Sequence, residues 1–259
     1  MKVPTDNHSK SFLCVSGLRL RPLPLAVVVL LGLFLPLPGQ ITALSLSYRL
    51  FPVVAHEMPW VPLFIGHAVT LLVTLAAIAV MKRFVPGDFG LCWPHGKTYV
   101  AAALTWGLFF GLLMTFIDFA PQIATRQAPQ GAYSLTPLNL IGWLAFEGLF
   151  AGFPEEILYR GLLVTFLVSK VPGRIALGRY EMNIAGVIIA FIFALAHVGS
   201  FWVHPFWIAL GQQVYAFALG VLYAYWFEKS GSLLAPIVGH NMGNFLETVL
   251  TFCMVAVLR

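Results

Sequence analysis

Charge is scarce in this sequence. Lys, Arg, Asp and Glu make up 10% of its 259 residues, where a soluble domain carries about 25%. Apolar side chains fill 59% of the chain, and the mean hydropathy is +0.87. That balance excludes an ordinary soluble domain and leaves a polytopic membrane protein. Cysteine is scarce too. Cys14, Cys92 and Cys253 are far apart and show no CxxC spacing, which excludes a disulfide framework. No basic stripe interleaved with aromatics lies outside the apolar runs, so nucleic acid is not an expected partner. The net charge of +5 instead reports loop orientation. Several protease signatures are also missing. His56-Glu57 is followed by Met58, Pro59 and Trp60, so there is no HExxH. There is no Gly-x-Ser-Gly, and Pro86-Gly87-Asp88 lacks the first glycine of a GxGD motif.

What the chain has is long apolar runs. A span needs about 20 apolar residues, and seven runs qualify: roughly 23–47, 60–82, 99–120, 138–169, 183–200, 204–228 and 232–258. Turn chemistry separates them, at Pro52 to Pro59, Val85 to Asp88, Pro129 to Gly131, Pro172-Gly173 and Ser230-Gly231. The expected fold is all-α: a transmembrane bundle of about seven helices, eight if Pro36 and Pro38 split the first. Arg19 and Arg21 precede an apolar run that continues past Gln40, which reads as a retained helix and not a cleaved signal. Residues 1–22 are then a cytoplasmic tail and 23–259 one transmembrane domain. With the N-terminus inside, eleven basic residues face the cytoplasm (Lys2, Lys10, Arg19, Arg21, Lys82, Arg83, Lys97, Lys170, Arg174, Arg179, Lys229). Three (Arg49, Arg126, Arg259) lie outside. This bias puts the C-terminus outside.

An ionisable group at the bilayer centre costs about 2.5–3.5 kcal/mol on insertion scales, so each one needs a partner or a task. The fourth run holds Glu147, Glu155, Glu156 and Arg160. The fifth holds His197, and the seventh holds His240, Asn244 and Glu247. Successive helical residues point about 100° apart, and i,i+4 pairs share a face. Glu156 and Arg160 are such a pair, with Glu in the favoured N-terminal place. Glu155 points elsewhere and is left over. His240 and Asn244 share a stripe, as do Phe193 and His197. A cavity bounded by Glu155, His197, His240 and Asn244 would activate water. A carboxylate and an imidazole take its proton, while a second imidazole and an amide donate to the oxyanion. Glu147 sits two turns before Glu155 and Glu247 near the outer side, and neither is assigned to the site. His67, His204 and Asp118 read as interfacial or structural. Gly148 and Gly152 have small-xxx-small spacing, suited to close helix packing.

Three motifs now stand in order: Glu155-Glu156-x-x-x-Arg160, Phe193-x-x-x-His197 and His240-x-x-x-Asn244. Together they resemble the CPBP family, which groups the CAAX prenyl proteases of the Ras-converting type with the bacteriocin-processing "Abi" proteins. The resemblance covers roughly residues 138–258 and implies a glutamate-dependent intramembrane endopeptidase. By motif position, Glu155 with His197 would activate water, and His240 with Asn244 would hold the oxyanion. Glu156, Arg160 and Phe193 would support them. The implied partners are the lipid bilayer and a membrane-embedded protein or peptide substrate; the style of the sequence points to a bacterial plasma membrane. No cofactor is expected. Glu155, His197 and His240 offer oxygen and nitrogen donors of the kind zinc takes, but no close pair such as HxxxH is present. Two other readings stay open: a zinc-dependent version of the same protease, and a non-catalytic protein for bacteriocin immunity or proton-coupled transport. The two similar halves that a transporter predicts are not visible.

Overall fold

The computed structural model describes residues 13–15, 18–129, 133–178 and 180–258. Most of the expected tail over 1–22 lies outside the described residues, as do Gln130-Gly131, Arg179 and Arg259. Among the described residues, six helices are long and apolar enough to cross a membrane: α1 (Pro22–Leu50), α2 (Trp60–Met81), α3 (Val100–Asp118), α5 (Ile184–Val203), α6 (Phe206–Ser230) and α7 (Leu234–Leu258). The seventh expected span is α4, residues 137–168, a run of alternating α and π turns. The chain is a helical membrane bundle, as its apolar runs require.

Local sequence accounts for the boundaries. Proline at the first turn starts α1, where a missing N–H leaves no bond unmade. The α-helical geometry of α1 breaks between Phe34 and Leu37, because Pro36 and Pro38 cannot donate backward. The interruption does not divide the first span, which runs from Pro22 to Leu50. Thr136 caps α4 by accepting from the Asn139 N–H at 3.3 Å. Asn183 caps α5 by accepting from the Ala185 N–H at 2.8 Å.

Two short antiparallel hairpins add to the expected helices: β1 (Leu13–Val15) with β2 (Leu18–Leu20), and β3 (Arg174–Leu177) with β4 (Tyr180–Asn183). The second stands where the sequence showed only a turn at Pro172-Gly173. Arg174 pairs with Glu181 across the hairpin and with Glu228 of α6 at 2.7 Å. At the same end of the bundle, the Leu233 N–H donates to the Gly90 carbonyl at 3.1 Å. The loops 82–99 and 231–233 thus share one end.

α4 is the central helix. Every residue from Ile157 to Val164 is buried, in one core with Val28 of α1, Ile78 of α2 and Ile189 and Ile192 of α5. Against α7 packs α3, through two Gly-x-x-x-Gly pairs that let the backbones touch. A β-carbon on Gly107 would stand 2.7 Å from the Gly239 carbonyl oxygen, and one on Gly111 would stand 2.6 Å from that of Gly243. Those distances are below contact, and helices in lipid associate mainly by such packing. Gly111→Val is expected to cost about 1–3 kcal/mol by overpacking. Leu112→Val, at a position that is 46% exposed, should be near neutral. Thermal unfolding of both variants in detergent checks this.

Candidate active site

The site is built around Glu156, a residue with no solvent exposure. Its Oε1 accepts from Arg160 Nη1 at 2.9 Å and from His240 Nδ1 at 2.8 Å. The i,i+4 pair read from the sequence is present, and it reaches one helix further than the spacing showed. The Arg160 guanidinium lies over the rings of Phe193 (4.6 Å) and Tyr223 (5.3 Å), so aromatic faces replace the water it gave up. Tyr223 in turn stacks on the His240 ring at 5.8 Å and 24°.

Tying His240 by Nδ1 leaves its Nε2 toward Glu155, 3.9 Å from Oε2. The other two imidazoles are held the same way. His197 Nδ1 donates to the Phe193 carbonyl at 2.8 Å, and His67 Nδ1 donates to the Leu63 carbonyl at 2.9 Å. A carbonyl only accepts, so the proton of each neutral ring is on Nδ1 and Nε2 keeps its lone pair. His67 Nε2 lies 3.5 Å from Glu155 Oε1.

Two cavities meet at this wall. A polar chamber of about 240 Å³ is lined by Glu147, Glu155, His197, His240, Asn244 and Glu247, among others. A more apolar groove of about 220 Å³ is lined by Gly39, Ala43, Leu63, Gly66 and Leu158, and reaches His67. Glu155 and His197 belong to both. All four residues expected to react are therefore brought to one chamber. Phe193 lines it as well, while Glu156 and Arg160 stand behind it.

Sequence reasoning missed three participants. Glu147 accepts from Asn244 Nδ2 at 2.9 Å. A uniform α-helix would place Glu147 and Glu155 about 80° apart. The π turn at Phe146–Phe150, closed by the Ala151 N–H to the Phe146 carbonyl at 2.8 Å, takes up one extra residue. The eight-residue separation then acts as about seven, which closes the angle to about 20°. Pro154, which has no N–H for the Phe150 carbonyl, is the local cause of the irregular turn. His67 lies on α2 outside any motif, and only its position inside an apolar run marked it. Glu247, left out of the site for its place near the outer side, lines the chamber. Gly152 is required where α4 meets α7: its N–H donates to Asn241 Oδ1 at 2.8 Å, and a β-carbon there would stand 2.8 Å from that of His240.

Breaking the buried pair from one side leaves the other charge without a partner. Arg160→Met is expected to lose about 3–5 kcal/mol, with Glu156→Gln similar, and the double variant should recover much of the loss. Chemical unfolding of the three variants measures it.

No curated protein and no solved structure matches the chain. Residues 137–246 match the family model described as type II CAAX prenyl endopeptidase Rce1-like. The matched stretch carries Glu147, Glu155, Glu156, Arg160, His197, His240 and Asn244. Over residues 137–246, from α4 into α7, this integral membrane protein is similar to the CAAX-type endopeptidase family.

Proposed function

We propose that this protein hydrolyses a peptide bond of a membrane-associated protein or peptide, with water activated by Glu155 and His197. The observation that carries this reading is the shared wall: Glu155 and His197 line both the apolar groove and the polar chamber. A substrate segment lying in the groove would present its carbonyl to the wall, and water would reach it from the chamber.

In this mechanism a water O–H bond breaks, its proton passes to the Glu155 carboxylate, and the oxygen bonds to the carbonyl carbon. His197, with Nε2 free, shares that proton. The developing oxyanion accepts from the Asn244 amide and from His240 once its Nε2 is protonated. Collapse breaks the C–N bond, and the proton returns to the leaving nitrogen. His240 Nδ1 is anchored to Glu156, so the ring holds its place throughout.

The reading requires no metal. Among the described residues, the three-donor group whose ligand atoms all lie within 4.8 Å of one another is Asp88, Cys92 and His95, and not Glu155, His197 and His240. The run of carboxylates Glu147, Glu155 and Glu247 along the chamber is the observation that favours the rival reading, a proton relay without hydrolysis. The excess of basic residues on one set of loops supports a cytoplasmic N-terminus, and the reading sets the protein in a bacterial plasma membrane.

Glu155→Gln should lower the rate of cleavage of a membrane-bound peptide by about 10²–10⁴-fold and still bind it. Full cleavage by that variant sinks the protease reading, and intact proton movement without cleavage in the wild type supports the relay. Asn244→Ala should lose about 10²–10³-fold in kcat. Glu147→Ala should lose less, with kcat falling more than KM rises. Glu147→Gln, which still accepts from Asn244, should restore most of the activity. Equal loss in the alanine and glutamine variants would contradict the orienting role.

A further inference from the structure

Asp88, Cys92 and His95 form a second group with convergent chemistry, away from the chamber. They lie on the loop between α2 and α3, at the end of the bundle where α6 turns into α7. A carboxylate oxygen, a thiol sulfur and an imidazole nitrogen, one from each residue, all lie within 4.8 Å of one another. Cys92 Sγ is 3.8 Å from His95 Nε2. Around a tetrahedral zinc with bonds of about 2.3 Å to sulfur and 2.0–2.1 Å to nitrogen, those atoms would be about 3.6 Å apart.

The loop is fixed before any ligand arrives. Phe89, fully buried, plugs into the main core. Phe89 and Gly90 both have positive φ, 58° and 72°, which folds the chain back so that the Gly90 N–H donates to Asp88 Oδ1 at 3.0 Å. Three further bonds tie the loop to the α6–α7 corner. The His95 N–H donates to the Ser230 carbonyl at 2.9 Å, Ser232 Oγ donates to the Cys92 carbonyl at 2.6 Å, and the Leu233 N–H donates to the Gly90 carbonyl. The Asp88 and His95 side chains are exposed and Cys92 is half-buried, so a cation can enter from solvent. The Cys92 thiol donates to the Gly231 carbonyl at 3.3 Å.

We infer that Asp88, Cys92 and His95 form a binding site for a late first-row divalent cation, zinc above all. The thiol selects against magnesium and calcium, which take oxygen ligands, and the mixed oxygen, sulfur and nitrogen set suits zinc. On binding, the Cys92 S–H bond breaks, its proton leaves to solvent, and the thiolate bonds the metal in place of its contact to Gly231. Three protein donors leave the fourth tetrahedral position to water. The corner that the loop braces begins α7, and His240 lies six residues, or about 9 Å, further along that helix. Metal on the loop would therefore hold the end of the helix that carries His240.

The test uses the full chain, purified in detergent and stripped with chelator, titrated with cobalt(II) and then zinc(II). The expected result is one saturable equivalent of cobalt with a thiolate-to-cobalt charge-transfer band in the near ultraviolet, displaced by zinc. Cys92→Ser should lose the band, and Cys253→Ser should keep it. Zinc should raise the melting temperature of the wild type and leave that of Cys92→Ser unchanged. If Cys92→Ser is poorly folded, Asp88→Asn and His95→Gln, both at exposed positions, should each lose saturable binding. A wild type without the band, or a band that survives in Cys92→Ser or in both exposed variants, overturns the site.

Discussion

One oxygen atom organises the interior of this protein. Glu156 Oε1 accepts from Arg160 on its own helix and from His240 on α7, with no solvent near it. A charge in that position is stable only while both donors stay. The arrangement therefore couples the central helix to the last one. It also sets the tautomer of His240 and so decides which nitrogen faces Glu155. Phe193 and Tyr223 hold the guanidinium between their faces, which brings α5 and α6 into the same assembly. A pair that looks like simple neutralisation along one helix is the point at which four helices meet.

The backbone is irregular where the chemistry is placed. π turns flank Gly152–Glu156 on both sides, and π turns cluster at functional sites because they re-aim side chains. Here the first one rotates Glu147 onto the side of Glu155, where it meets Asn244. The glycine contacts serve the same end. Gly107 and Gly111 let α3 press against α7, and Gly152 lets α4 approach His240. Bulkier residues at these positions would push away the helix that carries His240 and Asn244. Small residues in these helices are part of the site's geometry, although none of them reacts.

The two cavities give the site its sidedness. Peptide hydrolysis inside a membrane must bring an apolar substrate and water to the same atom from different directions. Glu155 and His197 stand between a mostly apolar groove and a chamber lined with carboxylates and imidazoles. The similarity of residues 137–246 to the type II CAAX prenyl endopeptidase Rce1-like family agrees with that division of labour. The Asp88 loop lies at one end of the bundle and does not contribute to either cavity.

Much of this was legible in the residues. Apolar runs of about 20 residues point to a helical membrane bundle, since they match a spanning helix and not the shorter strand of a barrel. The spacing of Glu156 and Arg160 predicts their pairing, and the same rule leaves Glu155 unclaimed. His197, His240 and Asn244 stand out because polar groups in apolar runs are costly. Other features could not be read there. The partnership of Glu147 with Asn244 depends on a π turn that a uniform 3.6-residue period hides. His67 reaches Glu155 from a helix with no motif, and the β3–β4 hairpin is too short to leave a periodic signal. The sequence determines which groups are too expensive to bury alone. Only the tertiary structure decides which of them share a proton, because that depends on how four helices cross, and no local period carries that information.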